Sequence, residues 1–295
     1  MASIKIDIDP ASGFCFGVHR VAQAAENALK DGKTVHILGE MVHNPEEIKR
    51  LESLGIQTIS KERLLRMKGE AVVIRAHGEP PETFNTIASA GIDLVDGTCP
   101  IVKALQKKIR NARNANPDIQ IVIYGKNNHP EVIGLNGGIG YSAIIVDDEN
   151  GSLDRIDFQK PVVLFSQTTQ SEQGFRLLAG RMKNRMDAAG VLSGENLQIH
   201  NTICRQVLQR VPALRHFAAG VDVVVFVSGS NSSNGKYLFG VCKEVNPNSF
   251  RVQNPLEIDR AWFEKASSIG ISGATSTPVW QLKQVRAAIS SMVSG

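Results

Sequence analysis

Short apolar runs alternate with amphipathic stretches along most of the chain. Ile4-Lys5-Ile6-Asp7-Ile8 alternates with period two, the pattern of a strand, and the turn Gly13-Phe14-Cys15-Phe16-Gly17 follows it. Val18, Val21, Ala22, Ala25 and Leu29 then recur at helical spacing, and Asp31-Gly32 stops that helix. Apolar runs at 35–38, 71–74, 119–124, 162–165 and 221–227 predict further strands, with weaker ones near 92–95, 143–146, 197–200 and 269–271. Between them, helical patterns cover 45–54, 101–113, the stretch from Cys204 to Ala219, and 236–245. Strand–helix alternation of this kind implies parallel sheets with right-handed crossovers. Ligands of such sheets sit beyond the carboxyl ends of the strands.

Those carboxyl ends carry the polar residues of interest, and they recur. Cys15, Cys99 and Cys204 each sit between a strand and a helix. After each cysteine, at a near-constant interval of about 30 residues, a polar loop closes the next strand: His43, His129 and Asn234. A second polar strand end follows in each copy, at His77, Thr168 and Ser276. The pattern predicts three α/β units, at 15–98, 99–200 and 201–285, with residues 286–295 as a tail. The third copy runs out of chain before its closing strand, so the segment 1–14, through its strand at 4–8, is expected to supply it. Three units facing one axis would bring three cysteines and six polar loops into one cavity.

Composition narrows the class. The 295 residues are 42% hydrophobic and 21% charged, with a formal net charge of +4, as in an ordinary globular protein. Lys and Arg are scattered among acids and only 5% of residues are aromatic, which argues against a nucleic-acid surface. No apolar run approaches the about 20 residues that span a bilayer, and the first residues carry no secretory pattern. Four cysteines without a CxxC pair exclude a disulfide scaffold and ordinary zinc-finger spacing. They fit a reducing cytoplasm.

A thiol at a helix N-terminus is favoured as thiolate by the dipole and the free N–H groups. Three such thiolates can hold a zinc ion, with His43, His77 or His129 as fourth ligand, or an iron–sulfur cluster with one iron left open. Cys242 lies inside a helical pattern, off the repeat, and is expected to be structural, as are His19, His36, His200 and His216. The set His43, His77, His129, Thr168, Ser232, Ser233, Asn234 and Ser276 offers many neutral donors, with Lys126 and Lys236 the only nearby lysines. Donors of this kind at strand ends and helix starts suit a phosphate or diphosphate. Glu131 reads either as a proton donor or as a first-turn acid favoured by the helix dipole.

Nine short motifs in order carry a resemblance. Gly13-Phe14-Cys15-Phe16-Gly17-Val18, Val42-His43-Asn44, Ala76-His77-Gly78, Thr98-Cys99-Pro100 and His129-Pro130-Glu131 resemble the 4-hydroxy-3-methylbut-2-enyl diphosphate reductase (IspH/LytB) family. So do Gln167-Thr168-Thr169, Thr202-Ile203-Cys204, Asn231-Ser232-Ser233-Asn234 and the segment 273–278. The resemblance implies a trefoil of three pseudo-equivalent α/β units, with mostly parallel sheets, around a central [4Fe–4S] cluster. Cys15, Cys99 and Cys204 would be its ligands and one iron would be open to the substrate hydroxyl.

The implied reaction is the last step of the methylerythritol phosphate route to isoprenoids. Two electrons and two protons remove the allylic hydroxyl of 4-hydroxy-3-methylbut-2-enyl diphosphate, giving isopentenyl and dimethylallyl diphosphate. His43, His77, His129, Ser232, Ser233, Asn234 and Ser276 would hold the diphosphate. Glu131 would deliver protons, with Thr168 and His129 assisting. A ferredoxin or flavodoxin would supply electrons to a bacterial-type cytoplasmic enzyme, monomeric or weakly dimeric, with no nucleic-acid or membrane partner.

The chain departs from that pattern at Arg205-Gln206-Val207-Leu208-Gln209-Arg210, where many relatives are Thr-rich, and at Phe16, where a small residue is common. A quinolinate-synthase-like dehydratase would share the trefoil but need carboxylate-recognising groups in place of the Ser-Ser-Asn loop. A metal-binding sensor would have no use for Glu131.

Overall fold

A computed structural model of the chain describes residues 4–67 and 70–294. Among them, twelve strands form three four-stranded sheets in which the registered pairs are parallel. The strands are β1 (Lys5–Ile8), β2 (Val35–Leu38), β3 (Gln57–Ile59), β4 (Ala71–Ile74), β5 (Asp93–Asp96) and β6 (Gln120–Tyr124). They continue with β7 (Ile144–Val146), β8 (Val162–Ser166), β9 (Leu197–Ile199), β10 (Val223–Val227), β11 (Ser249–Val252) and β12 (Ser268–Gly273). This is the expected α/β architecture of three parallel-sheet domains. By compactness the chain divides differently, into two units, residues 1–61 with 208–295 and residues 62–207.

The first unit holds the sheet β1-β12-β10-β11 and the pair β2–β3. β10 shows why a continuous valine run folds as a central strand: both of its faces are covered. Val223, Val225 and Val227 pack with Ile269, Ile271 and with Leu282, Val285 and Ile289 of the helix Val279–Ser294. Val224 and Phe226 face the other way, toward Leu214, Ala218, Leu238, Val241 and Cys242. Each fully buried aliphatic side chain contributes about 1.5–3 kcal/mol relative to exposure.

The N-terminal strand joins this sheet at its edge, with Lys5 opposite Ser268 and Ile8 opposite Ile271. Residues 286–294, expected as a tail, are the second half of the helix Val279–Ser294. Cys242 is fully buried and its thiol is pushed up to about 12, chiefly by desolvation.

The atypical stretch 205–210 opens the helix Arg205–Ala219 and has a structural use. Arg210, buried, pairs with Asp9 Oδ2 at 2.7 Å and donates to Ser272 Oγ at 2.7 Å. Ser272 Oγ in turn donates to Asp9 Oδ2 at 2.9 Å. The ends of β1 and β12 are thus tied to one helix by a fully satisfied buried ion pair.

The second unit holds the sheet β7-β6-β8-β9 and the pair β4–β5. One face of β6 and β8, through Ile121, Ile123, Val163 and Phe165, packs on Leu105 and Ile109 of the helix Pro100–Ala115 and on Val132 and Leu135 of the helix Pro130–Gly137. Both helices begin with proline, which fixes the first helical φ and needs no N–H there.

Candidate active site

In the second unit the expected residues meet at the carboxyl ends of β4, β5, β6 and β8. Cys99 is the N-cap of the helix Pro100–Ala115, and its N–H donates to the Ala76 carbonyl at 3.0 Å, beside His77. Gly78 follows with φ of 72°, where a Cβ would meet Thr98 Cγ2 at 2.9 Å, so this turn requires glycine. His129 is the N-cap of the helix Pro130–Gly137. Its Nδ1 accepts the Glu131 N–H at 3.2 Å, which leaves Nε2 to carry the proton of the neutral ring. The His77 and His129 rings lie edge to face, with centroids 5.2 Å apart.

Glu131 is 1% exposed, and among the described residues its hydrogen bonds include no cationic partner. Oε1 accepts the Thr168 N–H and Oε2 meets Thr168 Oγ1, both at 2.7 Å. Desolvation pushes its carboxyl up to about 7, against the downward pull of the two Thr168 bonds. Oε1 is committed to an N–H, so Oε2 is the oxygen that a proton would take, and the threonine hydroxyl there can either donate to it or accept from it. The Thr168 carbonyl accepts the Cys204 N–H at 2.9 Å, so the same residue anchors the third cysteine. Gln167, ahead of it, accepts the Lys126 N–H on Oε1 at 3.1 Å and holds the loop that leads to His129.

The first unit carries the other expected residues. Cys15 is the N-cap of the helix Phe16–Lys30, and its N–H donates to the Thr275 carbonyl at 3.2 Å. His43 follows β2, half-buried, with Nδ1 3.4 Å from Glu40 Oε2. Ser232 caps the helix Ser233–Val245 through the Gly235 N–H, and its Oγ lies 3.4 Å from Ser276 Oγ. Asn234 accepts two bonds from Thr275 on Oδ1, at 3.0 Å from the N–H and 2.9 Å from Oγ1. That fixes the amide and leaves Nδ2, a buried donor, without a hydrogen bond among the described residues. An unmade buried donor beside Ser232 and Ser276 is the chemistry an anionic oxygen would satisfy. Asn44, so far only a member of the Val42-His43-Asn44 motif, belongs to this region, as do Gln253 and Gln281, which no motif contains. Their only signal was Asn44 standing between His43 and Pro45 as a helix cap.

The ligand set expected from the resemblance is corrected. Among the described residues, the side chains whose ligand atoms form a group of three capable of holding a metal are His43, His77 and His129, and Cys15, Cys99 and Cys204 form no such group. Recurrence along the chain fixed each cysteine's place next to its own helix N-terminus. It did not fix the separation of the sulfurs. Iron–sulfur clusters are held by soft thiolates, so a trio of imidazoles does not fit a [4Fe–4S] cluster.

Parallel sheets with polar residues at the strand ends and capped helix starts define the class, an α/β protein of the kind that binds ligands beyond the carboxyl ends of its strands. The family profile described as LytB protein matches residues 6–290. A relative from Phocaeicola vulgatus, 4-hydroxy-3-methylbut-2-enyl diphosphate reductase, is 43% identical over 97% of this chain and 98% of its own length. That of Porphyromonas gingivalis is 42% identical over 98% and 100%.

A solved structure of (E)-4-hydroxy-3-methyl-but-2-enyl diphosphate reductase, the terminal enzyme of the non-mevalonate pathway, superposes with a TM-score of 0.75 at 33% identity, covering 98% of this chain and all of that one. The Plasmodium falciparum reductase shares the fold, with a TM-score of 0.80 at 24% identity over 95% and 86% of the two chains. The chain belongs to the LytB, or 4-hydroxy-3-methylbut-2-enyl diphosphate reductase, family.

Proposed function

We propose that this oxidoreductase removes the allylic hydroxyl of (E)-4-hydroxy-3-methylbut-2-enyl diphosphate by two-electron, two-proton reduction. The C–O bond breaks, the oxygen leaves as water, and the allylic fragment takes up the second proton. The products are isopentenyl and dimethylallyl diphosphate. The observation that carries this reading is the buried Glu131 carboxyl held at both oxygens by Thr168. A carboxylic acid still protonated near neutrality can protonate a poor leaving group as it departs. Electrons are proposed to come from a ferredoxin- or flavodoxin-type carrier in the cytoplasm, with the enzyme a monomer or weak dimer.

The diphosphate ligands are proposed to be His43, Ser232, Ser233, Asn234 and Ser276 of the first unit and His77 and His129 of the second. Thr168 is proposed to relay the proton and orient the substrate. The Asn234 Nδ2 donor, unmade among the described residues, supports this assignment. Neutral donors hold the diphosphate without the strong trapping of product that a lysine cluster would impose. The α/β units at 15–98, 99–200 and 201–285, the last closed by segment 1–14, are proposed as the duplicated modules. Among the described residues no helix is long and apolar enough to cross a membrane.

The test is anaerobic turnover of the substrate with a reduced dye. Glu131→Gln is expected to bind inorganic pyrophosphate normally and lose at least about 100-fold in kcat, the scale of general acid catalysis. Undiminished turnover by Glu131→Gln would remove the proton-donor assignment, and no turnover by the parent protein with any reduced donor would remove the reaction.

A further inference from the structure

Three segments of the first unit that carry proposed diphosphate ligands are joined by hydrogen bonds from three side-chain amides, those of Asn44, Gln281 and Gln253. Asn44, 1% exposed, accepts the N–H groups of Glu46 and Glu47 on Oδ1, at 3.2 and 3.4 Å. Two backbone donors on one oxygen settle which way the amide faces, so Nδ2 must donate. It donates to the Ser276 carbonyl at 3.1 Å and to Gln281 Oε1 at 2.8 Å. Gln281, also 1% exposed, is thereby fixed in turn, and its Nε2 donates to the Gln253 carbonyl at 2.6 Å. Gln253 Oε1 then accepts the Ser230 N–H at 3.0 Å, at the head of the loop that delivers Ser232, Ser233 and Asn234. Neither the Asn44 nor the Gln281 amide can flip without breaking the bond between them, and Gln253, reached through its main-chain carbonyl, is held at its own amide by the Ser230 N–H.

The segments so connected are otherwise held at close quarters. Gly229 passes so near the His43 carbonyl that a Cβ there would overlap it. Outside the chain of amides, Trp280 Nε1 donates to Glu47 Oε2 at 2.7 Å, and Arg50 grips both oxygens of Glu47. The helix Pro45–Ser53 and the helix Val279–Ser294 are therefore locked to each other independently. Removing one amide would leave the helices in place and loosen the loops.

We propose that Asn44, Gln281 and Gln253 are positioning residues. They set the spacing of His43, Ser276 and the Ser232–Asn234 loop in advance of the diphosphate, without touching it. The inference rests on the diphosphate reading above. Pre-organised donors lose little freedom on binding, so loosening them weakens the grip on the anion while the chemistry at Glu131 and Thr168 proceeds as before.

The experiment compares Gln281→Met, which keeps the volume and loses both bonds, with Asn44→Ser, which keeps a capping oxygen and loses both Nδ2 donations. Each is measured for KM and kcat with the full chain, for the Kd of inorganic pyrophosphate, and for thermal midpoint. The expected result is a rise of about 10-fold in KM and in the pyrophosphate Kd, with kcat within about twofold of the parent. The double variant should be less than additive, because both changes cut the same chain.

Asn234→Ala serves as the control. If it leaves pyrophosphate binding unchanged, the diphosphate reading itself falls. If it weakens binding while Gln281→Met and Asn44→Ser lower only the thermal midpoint, the amides are structural and this inference is overturned. Should Asn44→Ser not fold, the Gln281→Met result decides alone.

Discussion

Thr168 holds Glu131 at both ends of its carboxyl, the backbone N–H on Oε1 and the hydroxyl on Oε2, each at 2.7 Å. Two polar groups forced together in a dry site couple acidity, stability and the proposed proton transfer. Burial lifts Glu131 from its ordinary 4.5 to about 7. Between those values the unfolded chain has released a proton that the native state keeps, so stability falls as pH rises from about 4.5 to about 7 and levels off above. The whole step is about 3 kcal/mol. Glu131→Gln cannot ionise and should lose this slope, becoming the more stable protein above neutrality. Urea unfolding of both proteins at pH 5 and pH 8 measures it, and parallel slopes would refute the assignment.

Thr168→Val keeps the shape and the N–H bond but leaves Oε2 buried without its partner. The lost bond was lowering the carboxyl pKa, so Glu131 should move above about 7. The alkaline limb of the pH–rate profile is expected to shift upward, with kcat down by about 10–100-fold. Leaving the oxygen unpaired should cost about 1–3 kcal/mol in denaturant stability.

His129 has two separable uses. Its Nδ1 caps a helix, and its Nε2 is the ring's other hydrogen-bonding atom. His129→Ala should lose about 1 kcal/mol of stability with the cap. His129→Asn should recover that stability, because its side-chain oxygen can take the same N–H. It should still fail to restore KM for the diphosphate. Recovery of both would reduce the residue to a cap.

Arg210 and Asp9 form a buried pair completed by Ser272. Arg210→Met strands the aspartate in the core and should cost about 3–5 kcal/mol. Adding Asp9→Asn should recover part of that loss. The urea midpoints of the three proteins test it, and a loss under about 1 kcal/mol for Arg210→Met would show the pair to be dispensable.

Much of the fold was legible in local pattern. The alternation at residues 4–8 and the valine run at 221–227 define β1 and β10, because period two and dense β-branching are properties of the strand itself. β11, by contrast, is not among the predicted strands, and its strand state comes from pairing with β10. The helix Val279–Ser294 was overlooked although Leu282, Val285 and Ile289 recur at helical spacing.

The candidate site divides along the same line. The sequence by itself determined which residues stand at strand ends and helix starts, Cys15, Cys99, His129 and Ser232 among them, since caps and prolines act within a few residues. It also determined the family, through motifs spread over the whole chain. Only the tertiary structure decided that Glu131 is desolvated and closed by a threonine 37 residues away, and that Asn44 speaks to Ser276 across the chain. It likewise decided that, among the described residues, the side chains grouped closely enough to hold a metal are imidazoles and not thiols. Burial and the meeting of side chains depend on how elements pack, and a repeat in sequence carries no distance in space.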